Sequence, residues 1–140
     1  MAAKSIMHFV VDCSSTMGLE VSKDAPAGST VSKLTLAKSA MMTYCCQRTF
    51  DSKTVEFAVS SYGDEITDND MANTDQEGYE GINFLARMDK VKQDTLQRIW
   101  RMEVSPPGVE ADTISALMAT TDALMKSKLN YKYNRTLYNK

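Results

Sequence analysis

The first residues in this chain able to do chemistry are Asp12, Ser14 and Thr16. They follow directly on an apolar run, Ile6-Met7-His8-Phe9-Val10-Val11, with the length and composition of a buried strand. A carboxylate followed by two hydroxyls at alternating positions presents hard oxygen atoms of the kind Mg²⁺ prefers. Ligands of open α/β sheets bind outside the carboxyl ends of the strands, which is where this trio falls. The competing reading is a structural turn in which Ser14 and Thr16 hydrogen-bond backbone groups, as Ser and Thr commonly do.

Other residues invite and then fail chemical readings. The segment Gly63 to Glu80 carries Asp64, Glu65, Asp68, Asp70, Asp75, Glu77 and Glu80 and no basic residue. Asp68-Asn69-Asp70 opens like a calcium loop, but the fifth position is Ala72 and no Gly stands at the sixth. Started at Asn73, the twelfth position is Phe84, so the bidentate carboxylate is missing. A solvated, mobile loop is expected there. His8, the single histidine, lies within the first strand and reads as a partly buried structural residue, which leaves Ser-His or Cys-His catalysis without a base. There is no phosphate-binding loop of the P-loop type. An aspartate-nucleophile phosphatase would need an acid where Ser14 stands.

The chain ends with Lys126, Lys128, Lys132, Arg135 and Lys140 interleaved with Tyr131, Tyr133 and Tyr138, and without an acid. Lys132, Arg135 and Lys140 are the candidates for DNA contact through phosphates, with tyrosines stacking on bases. A solvated helix end explains the same residues, since cations favour a helix C-terminus.

These groups must be held by a single domain. The 140 residues have 43% hydrophobic content and a net charge of −2, a globular composition that does not point to a free-standing nucleic-acid binder. No apolar run approaches the roughly 18 residues of a membrane span. The start of the chain lacks a cleavable secretory pattern. Cys13, Cys45 and Cys46 make an odd count, read as reduced thiols of an intracellular protein.

The periodicity predicts a strand from Ser5 to Asp12, a loop from Leu19 to Thr30, and a helix from Lys33 to Thr49 capped by Ser32. Its stripe is Leu34, Ala37, Met41 and Cys45, flanked by Leu36, Ala40 and Tyr44. Val55, Phe57 and Val59 mark a second strand, and Ile82 to Leu85 a short third one. A helix from Val91 to Met102 places Leu96, Ile99 and Trp100 on its inner face. Lys92, Arg98 and Arg101 lie on the open face as candidates for partner binding. Pro106-Pro107-Gly108 breaks the chain. A last helix from Asp112 to Lys126 is expected to bury Ile114, Leu117, Met118, Thr121, Leu124 and Met125, with Tyr131 to Tyr138 as a possible imperfect strand. The order β-α-β-β-α-α argues for a three-layer, Rossmann-like α/β domain with its first two strands parallel. Such a sheet is half built at Lys126, so residues 1–140 are expected to be the N-terminal portion of a longer chain.

Several segments resemble one family in order. They are Asp12 with Thr16-Met17, Tyr62-Gly63-Asp64 with Thr67-Asp68-Asn69, Gly78-Tyr79-Glu80-Gly81-Ile82, Asp112-Thr113-Ile114-Ser115-Ala116-Leu117, and Leu129-Asn130-Tyr131-Lys132-Tyr133. Together they resemble the N-terminal von Willebrand A-type domain of the larger subunit of the Ku heterodimer. The resemblance implies a mostly parallel sheet with an antiparallel edge strand. It also implies a role in non-homologous end joining of DNA double-strand breaks and at telomeres, and a nuclear location that includes telomeric chromatin. The implied partners are the smaller Ku subunit and end-joining or telomeric proteins. DNA ends would be held by other parts of the complex, and no membrane is involved. The implied role is that of a docking module, not an enzyme. Metal-binding relatives use Asp-x-Ser-x-Ser with a Thr from a second loop. Here the first loop keeps its oxygens as Asp12, Ser14 and Thr16, but Ala111 takes the place of that Thr, so the trio is expected to be vestigial and no cofactor is expected. The rivals are an A-type domain of a proteasomal ubiquitin receptor and a Mg²⁺-dependent phosphatase.

Overall fold

The computed structural model describes residues 5–21, 31–51, 54–74, 76–110 and 112–137, with side chains through residue 127. Among them run strand β1 (Ile6–Asp12), helix α1 (Lys33–Asp51), strand β2 (Glu56–Tyr62), strand β3 (Ile82–Asp89), helix α2 (Gln93–Arg101) and helix α3 (Thr113–Leu137). Short 3₁₀ turns stand at Ser15–Gly18 and Ala72–Thr74.

The strands form one sheet in the order β1-β2-β3. β1 and β2 pair in parallel, in unbroken register from Ile6 opposite Glu56 to Asp12 opposite Tyr62. β3 returns antiparallel to β2 with two register shifts. The expected antiparallel edge strand is present. The sheet of the described residues is mixed, with one parallel and one antiparallel pair, and not mostly parallel.

Alternation along β1 sends neighbouring residues to opposite faces. Phe9 and Val11 pack with Leu34 and Met41 of α1, Val59 of β2 and Ile99 of α2. Val10 packs on the other side with Ile82 and Phe84 of β3 and with Ala116 and Ala119 of α3. The sheet is thus sandwiched, with α1 and α2 on one face and α3 on the other, giving the three layers that the element order predicts. Ser32 caps α1 as expected, its Oγ accepting from the Thr35 N–H at 3.1 Å.

Three expectations about packing fail. α3 buries Ala116, Ala119 and Thr120, whereas Ile114 is 71% exposed and Leu117 and Met118 are each 53% exposed. At about 100° per residue those side chains point away from the sheet. The small alanines let the helix backbone approach the strands closely, and the larger residues are left outside. Trp100, expected in the core, is 64% exposed, because Ile99 takes the buried position of α2. The Lys38 ammonium lies 5.5 Å from the Trp100 ring centroid and donates to the carbonyls of Trp100 and Met102 at 2.8 and 2.9 Å. This lysine ties α1 to the negative end of α2. The backbone from Tyr131 to Leu137 is helical and continues α3, so the alternative of a strand there is also wrong.

The acidic segment is more structured than its composition predicts. Asn69 is fully buried. Its amide donates to the Tyr79 and Ile82 carbonyls, both at 2.9 Å, and its side-chain oxygen accepts from the Ala72 N–H at 2.9 Å. Asp68 forms a bridge to Asn83, and Asp70 pairs with Arg87 at 2.7 Å. Gly81 sits at φ 68° with the Asp64 carbonyl 3.1 Å from where a Cβ would lie, so both conformation and space require glycine there.

Candidate functional site at the sheet tip and along the second helix

The Asp12 trio stands at the carboxyl end of β1, as the sequence predicts. One Asp12 oxygen (Oδ1) accepts the Ser14 backbone N–H at 2.8 Å. The hydroxyls of Ser14 and Thr16 bond to each other at 3.0 Å. The expected structural turn is thus present in altered form, since the backbone bond is made by the carboxylate and not by the hydroxyls. Among the described residues, no three His, Cys, Asp or Glu side chains converge as a metal-holding group. The donors at hand fit a self-bonded turn better than an octahedral shell. Ala111, the residue at the second-loop position, lies outside the described residues.

Asp64 enters the same tip from β2. One oxygen accepts the Ser61 hydroxyl at 2.6 Å and the other accepts the Ile66 N–H at 3.1 Å. Cys13, next to Asp12 in the chain, is buried, its backbone bonded to the Tyr62 carbonyl and to the Ser105 N–H. Burial, then the nearby charges of Asp64 and Asp12, push its thiol up to about 12. Cys45 is pushed up to about 11 by burial and by Cys46. Neither is a nucleophile at neutral pH. All three cysteines are free, Cys13 and Cys45 buried and Cys46 exposed.

His8 occupies a structural position. Its Nε2 lies 3.1 Å from the Ser60 hydroxyl and its ring packs edge-on against Phe84. Burial lowers its pKa to about 4, so the ring is neutral at physiological pH.

Of the basic residues expected to face a partner, Lys92 is paired with Asp89. Arg98 is paired with Asp94 at 2.7 Å and donates to the Leu85 carbonyl at 3.0 Å. The hydrogen bond from Lys92 draws the Asp89 carboxyl below its usual range. Arg101 is exposed. It lines, with Arg98, Asp64, Asp68 and Glu103, a cleft of about 470 Å³ between α2 and the sheet tip. Arg98 and Lys92 share a second groove with Asp89 and Asp94. The structure therefore brings the three basic candidates onto one side of α2, interleaved with carboxylates. Lys132 and Arg135 fall in the C-terminal part of α3. Their side chains, and Lys140 altogether, lie outside the described residues.

Sequence reasoning passed over the local roles of Asp64, Asn69 and Asp112. All three belong to the segments that carry the Ku resemblance, and each fixes a loop or a helix start. Asp112 caps α3 through the N–H groups of Ile114 and Ser115, and the Ser115 hydroxyl, more than those amides, holds its carboxyl below the usual range. The signal was present in the polar residues of short Gly- and Asp-rich turns.

No family model matches the chain. Over 99 residues, 71% of its length, the chain is 36% identical to X-ray repair cross-complementing protein 5 of Xenopus laevis. It spans only 13% of that protein's length. The match supports the resemblance in its coarse form, similarity to a stretch of a Ku subunit. The fold is also similar to a solved structure, an uncharacterized membrane spanning protein from Vibrio fischeri, with a TM-score of 0.63 and 18% identity over 89% of this chain and 50% of that one. That likeness concerns the fold alone. Among the described residues, no helix of this chain is long and apolar enough to cross a membrane.

Proposed function

We propose that residues 1–140 are the N-terminal, von Willebrand A-type α/β portion of a longer Ku-type chain. In this reading it is a protein-interaction and scaffolding module of a heterodimer that binds DNA double-strand-break ends. It acts in non-homologous end joining and telomere maintenance, in the nucleus and at telomeric chromatin. Its partners are the smaller Ku subunit and end-joining or telomeric proteins, and DNA ends are engaged by the rest of the complex. The module carries no catalytic residues and works without a cofactor, with Asp12, Ser14 and Thr16 as a vestigial metal loop.

The observation that carries this reading is the 36% identity along 99 residues to a protein named for the repair of X-ray damage. The surface agrees with a docking role. α3 presents Ile114, Leu117, Met118 and Met125 to solvent, and α2 presents Lys92, Arg98 and Arg101 among carboxylates. The same surface disfavours duplex binding, because the cations of α2 are largely neutralised by their own neighbours and phosphate affinity depends on unpaired positive charge. A fluorescence-anisotropy titration of the chain with blunt duplex DNA at physiological salt tests this. The expected result is no saturable binding in the nanomolar range. Nanomolar affinity for duplex ends would show that this segment is itself the DNA-binding part.

A further inference from the structure

We infer that Lys92 is a conjugation site for a ubiquitin-like modifier of the SUMO class, received directly from its conjugating enzyme. The inference rests on the local chemistry of the turn between β3 and α2 and stands apart from the Ku-type reading.

The residues around Lys92 are those such an enzyme reads. The sequence runs Val91-Lys92-Gln93-Asp94: an apolar residue, a lysine, a spacer and an acid. Each part of that pattern has a physical task. The apolar side chain rests on the enzyme beside its thioester, and the acid pairs with basic residues of the enzyme. The lysine between them is thereby held at the reacting carbonyl. The pattern occurs once, for no other lysine in the chain has an acid two places after it.

The structure presents this lysine in the form the reaction needs. Lys92 lies between the end of β3 at Asp89 and the start of α2 at Gln93, with extended backbone at φ -118° and ψ 162°. Its side chain is 66% exposed, and so is that of Asp94. Val91 is half-buried near Cys45, Val55 and Phe57, which anchors the turn and leaves part of the side chain open. The Lys92–Asp89 and Asp94–Arg98 ion pairs lie at the surface, where such pairs contribute little and separate readily. The turn follows β3, at the sheet margin opposite β1, so a strand added beside β1 leaves it uncovered.

For the fold alone, lysine is a poor choice at this position. Lys92 is the N-cap of α2 and makes no side-chain capping bond. Ser, Thr, Asp and Asn are preferred there because their oxygens accept the free N–H groups of the first turn. An ammonium accepts nothing and stands at the positive end of the helix dipole. Departures from a local rule of this kind are expected at functional positions.

The step is an acyl transfer. The modifier arrives as a thioester between its C-terminal carboxyl and the enzyme's cysteine, ATP having been consumed earlier in forming that bond. The neutral Lys92 Nζ attacks the thioester carbonyl. A C–N isopeptide bond forms, the C–S bond breaks, and the sulfur leaves as a thiol with the proton that the amine gives up. The hydrogen bond to Asp89 raises the Lys92 pKa, so the enzyme must part this pair before the amine can lose its proton.

The test incubates the intact chain with ATP, the small ubiquitin-like modifier, its activating enzyme and its conjugating enzyme, with no ligase. Gel shift and peptide mapping by mass spectrometry read the products. The expected result is one conjugate, branched at Lys92. Lys92→Arg keeps the charge and should abolish it. Asp94→Ala should slow it at least about tenfold, through the lost pairing with the enzyme. Circular dichroism checks that both variants are folded. Absence of a conjugate, at enzyme concentrations that modify a standard substrate, overturns the inference. So does a conjugate that persists in Lys92→Arg, or a rate that Asp94→Ala leaves unchanged, since either means that exposed lysines react without recognition of this turn.

Discussion

The side-chain amide of Asn69 donates to the backbone carbonyl of Ile82 at 2.9 Å, inside the protein and 13 residues away in sequence. With its bonds to Tyr79 and Ala72, this one residue fastens the acidic segment to the start of β3. Replacing it by alanine leaves buried backbone groups without partners. Asn69→Ala should cost about 2–3 kcal/mol, read from urea unfolding of the two proteins. Asn69→Asp should be at least as harmful at neutral pH, because a carboxylate cannot donate to two carbonyls.

Acid should weaken the fold through His8. Its folded pKa is lowered from 6.5 to about 4 by burial. Between those values the unfolded chain takes up a proton that the folded chain refuses, so this contribution is complete above about pH 6.5 and is lost as the pH falls toward 4. The loss is on the order of 1–3 kcal/mol, given the partial exposure of the ring. Thermal unfolding between pH 7 and pH 4 should show this slope. His8→Gln should flatten it, and an unchanged slope in that variant would assign the acid sensitivity to other groups.

The orientation of α3 can be read from paired substitutions. Ala119 is 2% exposed against the sheet, so Ala119→Leu should cost about 1–3 kcal/mol through overpacking. Leu117→Ala should change stability by no more than about 0.5 kcal/mol, since that side chain points outward. The reverse order of effects would mean that the larger apolar residues face the core after all.

Why sequence periodicity chose the wrong face of α3 follows from its composition. Ile114, Ala116, Leu117, Met118, Ala119, Ala123, Leu124 and Met125 leave the first part of the helix apolar on nearly every side, and such a helix does not declare its core face. A rule that favours large residues picks Leu117, whereas close packing on a sheet favours alanine. β1, β2 and α1 were legible for the opposite reason. β1 is a short apolar run closed by Asp12, β2 alternates through Val55, Phe57 and Val59, α1 buries Leu34, Met41 and Cys45 at helical spacing, and Ser32 marks the start of that helix. Trp100 was misplaced because Leu96, Ile99 and Trp100 lie near one face, and a nine-residue helix buries only Ile99 fully. At the sheet tip the residue types of Asp12, Ser14 and Thr16 were informative, but their mutual hydrogen bonds are set by local geometry that no spacing reveals. The order inside the acidic segment is anchored on its buried residue Asn69, which composition alone places in solvent, together with the Asp68 bridge and the Asp70–Arg87 pair.

Thiol chemistry should separate the three cysteines. Cys46 is exposed, whereas Cys13 and Cys45 are buried with raised pKa values. Iodoacetamide at mildly alkaline pH should label Cys46 in the folded chain, and the other two only after denaturation. Peptide mapping by mass spectrometry reads the result. Early labelling of Cys13 would mean that the sheet tip opens readily.

The role proposed for this chain is the docking of proteins of a break-repair assembly. The most direct measurement is binding of the purified smaller Ku subunit, and of purified end-joining proteins, to the immobilised chain. The account predicts saturable binding to at least one of them that weakens when Leu117 and Met118 are changed to glutamate or when Arg98 and Arg101 are changed to alanine. Absence of binding to every one of these proteins by a folded chain would contradict it.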